Sequence, residues 1–395
     1  MNVPGIIAQE EALFIKIRRD LHRHPELGFE LPKTTAMIAG YLAEWGISVT
    51  EGIGISGIVG TLKAGNSPRA IGLRADMDAL PINELNAFPW RSQVAGAMHA
   101  CGHDGHMAML LGAARYLSKT KNFDGTVHFI FQPAEEKGWG ARTMIEDGLF
   151  KRFPVDAIFG VHNWPGLPAG AIAVRPGPMM ASSSIFKVVV TGKGGHAAMP
   201  HKSHDVILAS SHIIVALQSI ASRMVSPLQS VVVSVTEIHG GDTLNALPSS
   251  LFFHGTVRTY DTGITDIIAE KMQEIVQFTA QAYGCQADFE FTPYYPPVIN
   301  NSDMALFAQQ VANNVVGQDN VITDIEPTTA AEDFSFMLNE VKGCFAFIGN
   351  GMAGSGKNDH SPGACELHNA NYDFNDALLP IGASYFSRLV ETYLS

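Results

Sequence analysis

Residues 98–117 read Met98-His99-Ala100-Cys101-Gly102-His103-Asp104-Gly105-His106, followed by the apolar run MAMLLGAARYL up to Leu117. The first nine positions hold a thiol, three imidazoles and a carboxylate. Asp104 to Leu117 predicts a helix, with Asp104 as its N-cap. Short apolar runs bounded by Gly or Pro predict buried strands at Ala70–Arg74 before it and Thr126–Phe131 after it. The same alternation extends outward. Gln9–His24, closed by Pro25, and Thr34–Trp45, ended by Gly46, predict helices. Gly57–Leu62 predicts a strand, Gly140–Asp147 a helix and Ala157–Val161 a strand. Strands alternating with helices imply an α/β core with a mixed, mostly parallel sheet and flanking helices. Ligands of such sheets gather at the carboxyl ends of the strands. Asp76, Glu135, Glu136 and His162 each fall just past a predicted strand.

The pattern changes near residue 183. Ser184–Thr191, Gln229–His239, Leu251–Tyr260 and Gln286–Thr292 predict strands, while Asp205–Ser222 and Ile264–Tyr283 predict helices. Their order, β-α-β-β-α-β, is the ferredoxin-like arrangement. Pro293, Pro296 and Pro297 mark the exit. The expected organisation is an α/β domain of residues 1–183 and 295–395, interrupted by an inserted α+β domain at 184–294. The first resumes with helix Asp303–Val315, a short helix after Glu332, strand Cys344–Gly349 and a terminal helix from Asp376.

The chain has 395 residues and a formal net charge of −12. That charge argues against nucleic acid as a partner and fits a protein that handles small molecules. Hydrophobic residues make up 46% and charged residues 16%, enough for a full core. Cys101, Cys285, Cys344 and Cys365 form no CxxC pair, which fits a reducing compartment. The N-terminus lacks a basic segment leading into a long apolar one. No run of about 18 consecutive apolar residues marks a membrane span. The expectation is a cytoplasmic protein with no membrane partner.

Cys and His are the ligands that borderline and soft divalent cations prefer. Cys101 and His103 alternate, so an extended segment points both side chains one way; a buried thiol and a helix-capping imidazole are the alternative. His99 and His106 are the weaker candidates; His106 lies on the following helix and suits a role orienting a ligand. Glu135 and Glu136 follow a strand and Pro133 and precede the turn Gly138-Trp139-Gly140. Two adjacent carboxylates are usually solvated surface charges. Here they can straddle a site, one binding metal while the other takes a proton from water. His162 gains weight only from this cluster. Asp76 and Asp78 are ligands, orienting groups or turn formers, with orientation favoured. Gly192-Lys193-Gly194-Gly195-His196 lacks the Gly-Lys-Ser/Thr order of a phosphate loop and reads as a tight turn presenting His196. Asn245 and Arg258 lie in the same inserted domain, and Arg suits a substrate carboxylate through a bidentate contact. Either His360 or His368 can serve as a late ligand; spacing alone does not choose. Met179, Met180, Phe186 and Met199 line an apolar pocket or pack the domain, and packing is favoured.

With these residues assembled, the chain resembles the M20 metallopeptidase clan, in the amidohydrolase branch of hippurate hydrolases, auxin-conjugate hydrolases and N-acyl-amino-acid deacylases. The resemblance rests on Arg19–Leu27, Leu73–Pro81, Met98–His106 and Phe131–Glu136. It rests further on Gly194–Ala197, Asn245–Pro248, Leu367–Asn369 and Tyr372–Asp376. It implies a di-metal exopeptidase fold whose inserted domain is a lid through which two copies form a homodimer. It implies two divalent ions per subunit (Mn2+, Zn2+, Co2+ or Ni2+) held by Cys101, His103, Glu136, His162 and His368, and Glu135 as general base. His196 is then an oxyanion donor, and Asn245 and Arg258 hold the polar end of an N-acyl amino acid. Related carboxypeptidases carry a metal-binding His where this chain has Asp76. A dipeptidase or aminopeptidase of the same clan, or a non-catalytic metal-binding relative, are the alternatives.

Overall fold

The computed structural model describes residues 1–136, 138–352 and 365–395. It divides into two units. One comprises Met1–Met179, Ile299–Glu326 and Asp333–Ser395; the other comprises Met180–Val298 and Pro327–Glu332.

The first unit is built on an eight-stranded sheet. Its order is Ser48–Ile53, Gly57–Ala64, Gly125–Gln132, Ala70–Asp76, Ala157–Pro165, Gly343–Gly351, Ile172–Ala173 and Val321–Ile322. The four central strands run parallel, so their carboxyl ends share one rim. Ala70–Asp76 is buried at every position, as a strand covered on both faces must be. Helix His103–Thr120 returns the chain from the end of one parallel strand to the start of its neighbour. It packs against helices Glu11–Arg23 and Leu379–Tyr393.

Charge is used to join these helices. Arg18 is fully buried. Its Nε donates to Asp376 Oδ1 at 2.7 Å and its Nη1 to Asp373 Oδ1 at 3.0 Å, with Asp104 Oδ2 at 3.5 Å. His22 Nδ1 lies 2.8 Å from the same Asp104 oxygen, and Nε2 lies 3.2 Å from Glu84. Asp104 therefore does not cap its helix, as the sequence had suggested. The N-cap position is Gly102, with no side-chain cap, and the Asp104 carboxylate serves the buried pairs instead.

Several strands differ from expectation, among them Ala70–Asp76, which runs two residues past Arg74 and so carries Asp76. Ala157–Pro165 continues four residues past its predicted end, because His162, Asn163 and Trp164 pair with Phe347, Ile348 and Gly349. Trp164 also stacks on Phe347 with ring centroids 4.2 Å apart. His162 is thus on a strand, not beyond one. Ser48–Ile53 was not foreseen. It is a mostly exposed edge strand whose Ser, Thr and Glu carry no apolar pattern.

The second unit has a four-stranded antiparallel sheet in the order Val231–His239, Ser250–Thr259, Ser183–Thr191, Gln286–Tyr295. Along Ser250–Thr259 burial alternates strictly, so one face of the sheet is covered. Helices Val206–Ser219 and Thr262–Ala282 pack on this sheet. They begin at Asp205 and Asp261, whose carboxylates accept the first free backbone N–H groups. Phe186 and Val188 lie in this unit's own core. Phe186 is therefore packing, whereas Met199 is exposed. The stretch Val206–Met224 is long and apolar enough to cross a membrane by length and composition. Its buried residues Val206, Ala209, Ile213, Leu217 and Ile220 recur at helical spacing within that core, as in the core helix of a globular unit.

Candidate metal centre

The cluster begins with Gly102. Its φ of +90° is left-handed, and a Cβ there would run into Asn163 Oδ1 and come within 2.8 Å of the Tyr372 hydroxyl. Only glycine fits. The turn it makes delivers Cys101 and His103 to the rim. His103 Nδ1 lies 2.8 Å from the Asp78 carbonyl oxygen and donates to it. Its Nε2 has no hydrogen-bond partner among the described residues. His162 repeats the pattern: Nδ1 donates to the Asn163 carbonyl at 2.7 Å, and Nε2 lies 3.4 Å from Cys101 Sγ. An imidazole held by a backbone carbonyl at one nitrogen and aimed into a cluster with the other is oriented as metal ligands are.

Asp78 also places the paired glutamates. Its two oxygens accept the backbone N–H groups of Glu135 (2.9 Å) and Glu136 (3.2 Å). The chain enters this turn through Ala134 at φ +50° and leaves through Trp139 at φ +55°. A Cβ on Gly140 would strike the Pro133 carbonyl oxygen, so the glycine lets the loop fold back on itself. His368 is left-handed too, at φ +63°. Its N–H donates to the Ala100 carbonyl at 2.8 Å, and its Nε2 lies 3.4 Å from Glu136 Oε1. Left-handed non-glycine residues concentrate at functional sites, where surrounding structure holds them.

The ligating atoms of Cys101, Glu136 and His368 lie within 4.8 Å of one another, and so do those of His103, Glu135 and Glu136. Glu136 is common to both groups. The atoms of Asp76, His103, His106 and His162 form a further such group. The five proposed ligands and Glu135 are therefore brought together. His106 is different, because both its nitrogens are engaged: Nδ1 lies 2.6 Å from Asp76 Oδ1 and Nε2 lies 2.7 Å from Asn163 Oδ1. It supports the centre without offering a ligand atom, as does Asp76, whose Oδ2 takes Arg74 at 2.8 Å. His99 is buried, faces His22 with ring centroids 6.4 Å apart, and belongs to none of these groups. His360 lies outside the described residues.

Electrostatics favour a cation. Burial opposes charge on His103, yet Asp76, Asp78 and Glu136 overcome it and push the imidazole up to about 10. Burial would also raise the Asp76 carboxyl, but His103, His106 and Arg74 hold it well below its usual range. Burial, reinforced by Glu136, Glu135 and Asp76, pushes the Cys101 thiol well above its usual range. A nucleophilic cysteine needs the opposite surroundings. Burial drives His162 well below its usual range, leaving it neutral. The donor set is mixed sulfur, nitrogen and oxygen, with one unpartnered ring nitrogen and one shared carboxylate. It fits borderline divalent cations.

The residues assigned to the inserted domain lie in the second unit. A two-stranded ribbon pairs Ala246 with His196, and the Ala197 N–H donates to the Asn245 carbonyl at 3.0 Å. His196 and Asn245 are thus neighbours, both exposed. Arg258 sits on the Ser250–Thr259 strand, half-buried, and its Nη1 has no hydrogen-bond partner among the described residues.

The sequence matches the model of peptidase family M20/M25/M40 over residues 72–392. The chain belongs to that family. It is an enzyme, a hydrolase of amide C–N bonds. It is 42% identical to a hippurate hydrolase of Campylobacter jejuni over 394 residues, covering 100% of both chains. It is 38% identical to an N-acetylcysteine deacetylase of Bacillus subtilis, covering 95% of each. Among solved structures it is similar to a dinuclear metal-binding peptidase of the M20 family from Bacillus subtilis. There the TM-score is 0.84 at 34% identity, with 98% of this chain and 99% of that one covered.

Sequence reasoning pointed to His106 and Asp76 as supports but missed others. Arg74 reaches Gln132, Asp76 and Asp333 from one buried guanidinium. Asp333 had no local signal at all. Tyr372 stood inside a quoted motif and Asn163 beside His162, but nothing in their spacing coupled them.

Proposed function

We propose that this enzyme hydrolyses N-acyl amino acids, R–CO–NH–CHR′–COO⁻, to a carboxylic acid and a free amino acid. The observation that carries the proposal is the convergence of Cys101, His103, Glu136, His162 and His368 beside Glu135, which is itself almost fully buried. The hippurate hydrolase and the N-acetylcysteine deacetylase support the substrate class. The five residues would hold two divalent ions, of which Mn2+, Zn2+, Co2+ and Ni2+ all suit the donors. Such ions supply Lewis acidity for the scissile carbonyl and lower the pKa of water. Glu135 takes the proton of the attacking water and returns it to the leaving nitrogen. His196 donates to the carbonyl oxygen as negative charge builds there. Arg258 and Asn245 hold the substrate carboxylate, the local cation that an acidic protein needs for an acidic substrate. We place the enzyme in the cytoplasm as a homodimer; its cysteines among the described residues are unpaired.

The test is Glu135→Gln, assayed on benzoylglycine and N-acetylmethionine with metal analysis alongside. The expected result is wild-type metal content with turnover lower by about 10³-fold, the usual scale for a proton-transferring group. Near-normal turnover would reject the role of Glu135. Wild-type cleavage of dipeptides but of neither acylated substrate would reject the substrate class.

A further inference from the structure

Tyr372 is fully buried, and its hydroxyl meets an amide rather than any of the ligands. Asn163 Nδ2 donates to it at 2.5 Å, and the other end of that carboxamide, Oδ1, lies 2.7 Å from His106 Nε2. The opposite ring nitrogen faces Asp76 Oδ1 at 2.6 Å, and Asp76 Oδ2 lies 3.7 Å from His103 Nε2. A buried hydrogen-bonded chain, Tyr372–Asn163–His106–Asp76, thus ends at a carboxylate beside the ring nitrogen that His103 aims into the cluster, with no hydrogen bond across that last gap. Its starting point is close to another ligand. His368 precedes Tyr372 by four residues, and its side chain is 53% exposed. Tyr372 is also tied down through its backbone, where its carbonyl accepts from Asn86 Nδ2 at 3.0 Å.

We propose that Tyr372 is a positioning residue. By holding Asn163 it fixes the orientation of His106 and Asp76 beside His103, and its place four residues after His368 ties the C-terminal segment to the same network. This rests on the cation-binding role proposed above for the cluster. A carboxamide has two ends, one donating and one accepting. The Tyr372 hydroxyl holds one end of the Asn163 carboxamide, while the backbone N–H of the same residue donates to His106 Nε2 at 3.0 Å. A phenyl ring in place of the phenol fills the same volume but leaves that buried end of the Asn163 carboxamide without its partner. In a buried network of this kind the loss passes along the chain, because each member is held by the next. The two ends of the site, one near residue 103 and one at residue 368, are coupled through one hydroxyl.

The experiment compares full-length wild type, Tyr372→Phe, Asn163→Ser and the double variant, each loaded with Co2+. Affinity is read by chelator competition and geometry by the visible absorption of bound Co2+. Tyr372→Phe is expected to weaken Co2+ binding about 10–100-fold, the usual effect of removing a group that orients ligands. Its cobalt spectrum should change, and kcat on benzoylglycine should fall more than KM rises. In the Asn163→Ser background Tyr372→Phe should add nothing further. Wild-type affinity and spectrum in Tyr372→Phe, with only a lower melting temperature, would overturn the inference and leave a purely structural tyrosine. Full additivity of the two substitutions would overturn it as well. If Asn163→Ser does not fold, the single variant still decides. A wild-type protein that binds no Co2+ would end the metal assignment itself, an outcome distinct from equal binding by both proteins.

Discussion

Gly102 controls two of the proposed ligands at once, since the left-handed turn it makes sends Cys101 and His103 to the same rim. Gly102→Ala forces a Cβ into Asn163 Oδ1. It is expected to cost more than about 1 kcal/mol by urea unfolding and to lower bound metal together with stability. Cys101→Ala acts differently: a buried thiol becomes a methyl, the fold persists, and metal content falls. Unchanged stoichiometry by elemental analysis would reduce Cys101 to a core residue. His22 provides a test by pH. Burial disfavours its charge, but Asp104 and Glu84 outweigh that and raise it from 6.5 to about 9. The folded state therefore holds this proton more tightly than the unfolded chain. The stabilisation is complete below pH 6.5 and is lost as pH rises to about 9. A shift of that size corresponds to roughly 3 kcal/mol. The urea midpoint should fall across that interval, and His22→Gln should flatten the decline. Cys101 and His103 stood out as candidates because thiol, imidazole and carboxylate are crowded into one stretch, whereas Glu136, His162 and His368 joined them as ligands only through the family resemblance. Asn163, Tyr372 and Asp333 did not stand out, since each is ordinary by itself and acts only through a partner distant in the chain.

Among the elements, the strands with their helical crossovers were readable from apolar runs and their Gly and Pro boundaries. The misjudged boundaries have tertiary causes. Pairing with Gly343–Gly351 carries Ala157–Pro165 past Val161, and the demands of His22 and Arg18 remove Asp104 from its expected capping role. Arg18 holds helix Glu11–Arg23 to the segment around Asp373 and Asp376. Arg18→Met would leave those carboxylates, and Asp104, without their shared cation. The expected loss is about 3–5 kcal/mol, typical of breaking one side of a buried ion pair, and denaturant unfolding would measure it. A loss below 1 kcal/mol would mean that the aspartates are neutral or reach water.

Across the whole molecule, each unit has its own apolar core. The change from mostly parallel to antiparallel sheet was legible near residue 183, because strand spacing and turn signals change there. The cation cluster belongs to the first unit alone. Chelation should therefore lower the calorimetric transition of that unit, because a ligand that binds only the folded state stabilises it by mass action. The transition of the other unit should stay where it is. A single transition that moves as one would show that the two unfold together.

Cys101 and His368 stand on opposite sides of the chain's midpoint, yet their ligating atoms meet at Glu136. Contacts between positions so far apart close late, after the loop entropy between them has been paid. A polypeptide that has not yet reached His368 can form the motif helix and much of the parallel sheet, but cannot bring these three side chains together. The proposed centre thus waits for the segment that carries His368, and a fragment that stops short of it is expected to fold without that centre.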